Sequence, residues 1–171
     1  MFSKKPSRFV IIVLAVAAAP AAFAGDTVQL NCPTGTVRKE LKRESVYCAK
    51  VRADASEPRN HGPYVDLYPS GRKMAEGQYQ DGFRSGHWTF WDANGAKAGE
   101  TDFSRGNYHG TRTEFHANGN KKIEQQWNHG KREGLSVAYS EDGQKVAEMY
   151  FQGDRMVKEQ RFENGKPVAS K

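Results

Sequence analysis

Four lysines and four glutamates are the residues best suited to do chemistry. Lys73, Lys97, Lys121 and Lys145 are each followed three residues later by Glu76, Glu100, Glu124 and Glu148. A lysine beside a carboxylate can serve as an acid–base pair. The pair occurs in four copies, however, and four identical sets would be four active sites. A residue present in every repeat serves the repeat. The expectation is therefore cross-strand and inter-repeat ion pairing, with protection against edge-to-edge aggregation. Each exposed pair of this kind contributes about 0–1 kcal/mol.

The other reactive side chains give no stronger constellation. His61, His87, His109, His116 and His129 sit mostly beside turn residues, and no HxH or HxxxH spacing occurs among them. A metal centre needs three or four convergent ligands. No GxSxG, HExxH or phosphate-binding loop is present, and the glycines read as turn glycines. The expectation is a protein that is not an enzyme, with no catalytic residue, cofactor or metal site. Cys32 and Cys48 are the two cysteines. A redox-active pair usually has CxxC spacing, so a structural disulfide is expected, given the export signal described next. It would contribute on the order of 3 kcal/mol from chain entropy.

Residues 1–24 read as a cleavable signal peptide. Lys4, Lys5 and Arg8 precede an apolar run over 9–19, and Ala22-Phe23-Ala24 is a small-x-small cleavage site before Gly25. The run is short for a membrane span. The expected location is the periplasm, with secretion or envelope association as alternatives. With 26 basic and 20 acidic residues and three of the basic ones in the leader, the mature chain carries +3. That mild charge, with no recognition motif beside it, excludes a dedicated nucleic-acid binder.

The elements that position these side chains are periodic. Gly62, Gly86, Gly110 and Gly134 stand 24 residues apart, as do Gly71, Gly95, Gly119 and Gly143, and an aromatic recurs at Tyr79, Phe103, Trp127 and Phe151. Such a period marks stacked supersecondary units. Each unit carries two strand-like segments around a three-residue loop ending in glycine, which fits a type I turn with a G1 bulge. A second turn at Asp81-Gly82 leads to the next unit. The fold class expected is all-β: an elongated antiparallel meander of tandem 24-residue β-hairpin repeats with a disulfide-stapled N-terminal cap. Residues 25–60 form the cap and linker, with short strands over 28–31 and 45–52. The array covers 61–166, divided as 61–85, 86–109, 110–133, 134–157 and a half repeat over 158–166. A polar tail over 167–171 follows.

Regular alternation from a 67-to-73 pairing puts 65, 67, 75, 77 and 79 on an inner face, and 64, 66, 68, 74, 76 and 78 on an outer one. The outer face then carries Tyr64, Asp66, Tyr68, Trp88 and Phe90 in the first two repeats, but Arg112, Glu114, His116, Ser136, Ala138 and Ser140 in the next two. The fold does not demand aromatics there. Together with Arg84, Tyr108 and Arg112 they have the composition of a binding hot spot. The competing reading is that residues 25–60 fold back over the patch as core.

The pattern Gly-x-Trp-x-x-Trp-x-x-Asn-Gly-x-Lys-x-x-Glu-x-x-Phe over 86–103, repeated at 24 residues, resembles the bacterial variant of the MORN repeat. The same repeat occurs in proteins labelled YwqK-family antitoxins. The resemblance covers about residues 61–166 and implies a twisted sheet of hairpins used for binding. It implies protein scaffolding, association with membranes or phospholipid headgroups, or toxin neutralisation. The 32–48 segment also looks like the disulfide head of exported members. The function expected is protein binding in the periplasm or envelope, through Tyr64, Tyr68, Arg84, Trp88, Phe90, Tyr108 and Arg112. The alternatives are association with an anionic envelope surface and a toxin-neutralising role; carbohydrate binding by the aromatic face is a further possibility.

Overall fold

The computed structural model describes residues 28–42, 44–51 and 57–168. The expected signal peptide lies outside them. Twelve antiparallel strands form one open sheet in chain order, and no helix occurs among the described residues. They are β1 (Thr36–Leu41), β2 (Ser45–Lys50), β3 (Arg59–Leu67), β4 (Lys73–Gln80), β5 (Phe83–Trp91) and β6 (Lys97–Ser104). They continue as β7 (Asn107–Phe115), β8 (Lys121–Asn128), β9 (Lys131–Tyr139), β10 (Lys145–Gln152), β11 (Arg155–Glu163) and β12 (Lys166–Val168).

Two kinds of turn alternate, as the glycine spacing predicts. In the three-residue loop the Tyr68 N–H donates to the Arg72 carbonyl at 2.9 Å, and Gly71 closes the turn with φ +83°. The second turn has positive φ at both residues, Asp81 (51°) and Gly82 (91°) in the first copy. That is the type I′ signature, whose twist matches that of the flanking strands. Gly153 and Asp154 keep the same geometry in reversed residue order (56° and 70°). Each turn of this kind also ties its repeat to the one before. The Gly82, Gly106 and Gly130 N–H groups donate to the carbonyls of Asn60, Arg84 and Tyr108 at 2.8–2.9 Å.

The register departs from regular alternation. Leu67 pairs with Lys73 as expected, but Asp66 then pairs with Ala75 and Tyr64 with Gly77, leaving Met74 as an extra residue. Ala98, Lys122 and Val146 are skipped in the same way in the later hairpins. A one-residue bulge moves every side chain beyond it to the other face. The expected division into 65/67/75/77/79 and 64/66/68/74/76/78 is therefore wrong. Tyr64 and Asp66 share a face with Ala75, Gly77 and Tyr79, whereas Val65 joins Glu76 on the opposite face.

The invariant Gly62, Gly86, Gly110 and Gly134 mark a second bulge. Between the pairs Glu76↔Thr89 and Gln78↔Ser85, one residue of β4 faces three of β5, and Gly86 there has φ +65°. Only glycine enters that region without strain. At 158 the period meets lysine, and β10 and β11 pair with one extra residue instead of two.

The cap extends the sheet. Its first strand is Thr36–Leu41, not 28–31, and β2 pairs with β3 around the Gly62 bulge, where Cys48 stands against His61, Gly62 and Pro63. The Cys32–Cys48 disulfide staples the preceding segment to β2, where Pro33 packs on Gly62. β3 begins at Arg59, inside the expected linker. At the other end Pro167 and Val168, expected in the tail, pair with Phe162 and Arg161 of β11.

Candidate functional site

The bulges bring a continuous series of aromatic residues to one face, while Trp91, Phe115 and Tyr139 lie on the other, opposite Lys97, Lys121 and Lys145. Ring contacts run without a break from Tyr47 through Tyr64, Tyr79, Trp88, Phe103 and Tyr108 to Trp127, with centroids 4.7–6.0 Å apart along this path. Trp88 is its centre and is fully buried. The indole lies flat on Gly77, where a Cβ would come within 2.4 Å of the ring, and its N–H donates to the Gln78 carbonyl at 3.2 Å. Trp88 is thus core and not a contact residue, which corrects the sequence expectation. The cap is not the reason, since the sheet's own side chains bury the ring.

Tyr68 is also absorbed by the fold. Its hydroxyl donates to the Trp91 carbonyl at 2.9 Å, linking one loop to the next. His116 occupies a similar place two repeats on, with Nε2 3.0 Å from the Tyr139 carbonyl oxygen. Tyr64 stacks between Tyr47 and Trp88 and is half-buried. Burial raises its hydroxyl above the usual tyrosine range. Burial likewise raises the neighbouring Asp66 carboxyl, opposed by Tyr64 and by Arg84 4.0 Å away.

Four of the expected contact residues do meet on this face. The Arg84 guanidinium lies over Trp88 at 4.4 Å and over Phe103 at 5.6 Å. Arg112 lies 5.4 Å from the Tyr108 ring. It also pairs with Glu114 at 2.6 Å and donates to Gln125 Oε1 at 3.1 Å. Phe90 and Tyr108 border a groove of about 340 Å3 lined in part by Gly99, Thr101, Arg112 and Glu114. Arg84, Phe90, Tyr108 and Arg112 are all half-buried. Arginines held over aromatic rings combine fixed geometry with a polar rim, the composition of binding hot spots.

The polar neighbours on this face escaped the sequence reading. Thr101, Gln125 and Ser136 are buried between the aromatic residues. Regular alternation had placed Thr101 and Gln125 on the opposite side from Arg112. The signal that could have found them is the Lys-x-x-Glu spacing itself, because three residues along a regular strand point to opposite faces.

The opposite face carries the Lys–Glu pairs. Each forms within one strand, across the bulge, and not between strands or repeats as expected: Lys73–Glu76 at 2.6 Å, Lys145–Glu148 at 2.7 Å, and Lys97–Glu100 and Lys121–Glu124 alike. The lysines also reach aromatic rings of the next hairpin, Lys97 over Phe115 at 5.0 Å and Lys145 over Phe162 at 4.2 Å. Among the described residues no group of three or more His, Cys, Asp or Glu side chains could hold a metal ion.

Fold and surface together define a tandem β-hairpin repeat protein with one aromatic and one ion-paired face. Residues 108–129 match the MORN repeat variant, a family of repeats. The matched stretch spans β7, its loop, β8 and the following turn, which is one hairpin of the array. No curated protein matches the chain.

Proposed function

We propose that the protein is an exported, non-enzymatic binding module of the periplasm or cell envelope, and that it docks a protein partner on the aromatic face of its first three repeats. The observation that supports this most is the pair of half-buried arginines beside Phe90, Arg84 over the buried Trp88 ring and Arg112 beside the half-buried Tyr108 ring. Such residues lose little entropy on binding, because packing already restrains them. The signal-like leader and the disulfide fit an oxidising compartment. A toxin held inactive by this surface would be one partner of this kind, as the likeness to YwqK-family antitoxins implies.

Association with an anionic lipid surface is less well supported. The lysine of every repeat is engaged by its own glutamate, so such an association would have to draw on other basic residues, such as Arg105, Lys122 and Lys131.

Site-specific photo-crosslinking in cells expressing the full chain tests the reading. Phe90 points to the aromatic face and Trp91 to the other. A photoreactive side chain at 90 should trap a discrete protein, and one at 91 should not. A protein adduct from 91 alone, or only lipid adducts from 90, would refute the docking surface.

A further inference from the structure

Each type I′ turn is tied back to the start of the hairpin it closes, and the tie brings two side chains together every time. The Gly82, Gly106 and Gly130 N–H groups donate to the carbonyls of Asn60, Arg84 and Tyr108. The residue before each glycine therefore stands beside the residue after each carbonyl. In the first copy these are Asp81 and His61, 3.2 Å apart as an ion pair. In the second they are Arg105 and Ser85, which line one hollow. In the third they are His129 and His109, whose ring centroids lie 4.8 Å apart at an interplanar angle of 67°.

The third contact lacks the opposite charges of the first, and both of its residues are exposed. Nor does the turn require a histidine. His129 has φ +48°, and Asn164 fills the same turn position before Gly165 with φ +51°. What the pair does offer is the spacing of a chelate. A metal ion lies about 2.0–2.1 Å beyond a ligating imidazole nitrogen, hence about 3.2 Å from the ring centroid, so two imidazoles at about 90–110° around one ion have centroids about 4.5–5.2 Å apart. The observed 4.8 Å falls within that range. A neighbour also sets the tautomer. Asn128 Oδ1 lies 2.6 Å from His129 Nδ1, which keeps the proton there and leaves Nε2 bare for a cation. Ligating histidines are commonly held in this way, by an oxygen acceptor on their other nitrogen.

We propose that His109 and His129 chelate a divalent transition cation, Cu(II) most tightly. Imidazole suits Cu, Ni and Zn, whereas Mg prefers oxygen, and Cu(II) heads the order of affinity. Two nitrogens are fewer than the three or four protein ligands of a preformed centre. Water completes the shell, so the ion is solvent-exposed and exchangeable. The two residues stand far apart in sequence, which is why no HxH or HxxxH spacing announces them. The inference goes beyond the protein-docking role and does not rest on it.

The test is calorimetric titration of the untagged, oxidised full chain with CuCl2, ZnCl2 and MgCl2 near neutral pH, with the histidine ring resonances followed by NMR in the zinc arm. Zn(II) should shift the His109 and His129 rings together, Cu(II) should bind more tightly than Zn(II), and Mg(II) should not bind. His109→Gln and His129→Asn should each weaken binding by more than about tenfold, since even an outer-shell partner is worth about that much. His129→Asn should keep its melting temperature, which separates loss of binding from loss of fold. His87→Gln, outside the pair, should bind as the unmodified chain does. The proposal is overturned if no cation binds more tightly than about 1 mM, or if Mg(II) binds as tightly as Cu(II). It is equally overturned if zinc shifts other histidines instead, if both pair variants keep full affinity, or if His87→Gln weakens binding as much as they do.

Discussion

Lys73 Nζ lies 2.6 Å from Glu76 Oε2 although the two residues are three apart on one β-strand. Regular pleating would send them to opposite faces. Met74, the unpaired bulge residue between them, restores the match. The same arrangement recurs at Ala98, Lys122 and Val146, so the ion pair and the bulge are one device repeated in each hairpin. The device also decides which side of the sheet holds the aromatic residues.

The extra residue should therefore be removable without moving the faces. Deleting Ala98 should leave a regular hairpin and lower the urea midpoint only modestly, because Trp91 with Lys97 and Phe90 with Gly99 keep both their pairing and their facing. A double-mutant cycle of Lys97→Met and Glu100→Gln should show a coupling of at most about 1 kcal/mol. Loss of cooperative unfolding on deleting Ala98 would contradict the register argument.

Trp88→Ala should cost about 3–5 kcal/mol, the usual penalty for removing a large buried aromatic, read from urea unfolding. Gly77→Ala should also destabilise strongly, since the new Cβ would press into the indole at 2.4 Å. An unchanged midpoint for Trp88→Ala would place the ring back on the surface.

Gly86 separates backbone strain from packing. Its φ is +65° and no atom lies within 4 Å of an added Cβ. Gly86→Ala should thus cost about 1–2 kcal/mol through conformation alone, again by urea unfolding. No loss would mean that the two-residue bulge does not require its glycine.

Two carboxylates should respond to pH with opposite signs. The Arg132 backbone N–H, helped by its guanidinium, holds the Asp154 carboxyl below the usual aspartate range. Its contribution is present above the ordinary aspartate pKa and is lost as pH falls through the depressed value. Asp154→Ala should therefore destabilise at neutral pH, with the difference fading in acid. Burial raises the Asp66 carboxyl instead. Folding then favours its protonated form, a contribution lost as pH rises through the raised value. Asp66→Asn should be the more stable protein at neutral pH and lose that advantage in acid. Urea midpoints from neutral pH into the carboxylate range would show both trends.

The hairpin array was legible because glycine, turn and aromatic positions repeat without slipping, and each has a local physical reason. Turn residues such as Gly71 and Gly82 declare their own backbone geometry. The facing of side chains was not legible by alternation, because Met74 and its equivalents differ in residue type and the bulge is marked by the Lys-x-x-Glu spacing around it alone. The contact surface suffered accordingly. Arg84, Phe90, Tyr108 and Arg112 do gather on one face, but Trp88 sinks into the core and Tyr68 is spent on a loop-to-loop hydrogen bond. The buried polar row at Thr101, Gln125 and Ser136 becomes visible only once the register is known.

The most direct test of the central claim is capture from detergent-solubilised envelope extract with the oxidised full chain as bait, beside two charge-reversal variants of matched stability. Arg84→Glu with Arg112→Glu alters the aromatic face; Lys97→Glu with Lys121→Glu alters the ion-paired face. The account predicts a specific protein retained by the unmodified chain and by the lysine variant, and lost with the arginine variant. Retention by the arginine variant with loss in the lysine variant would contradict it and move the binding surface to the other side of the sheet.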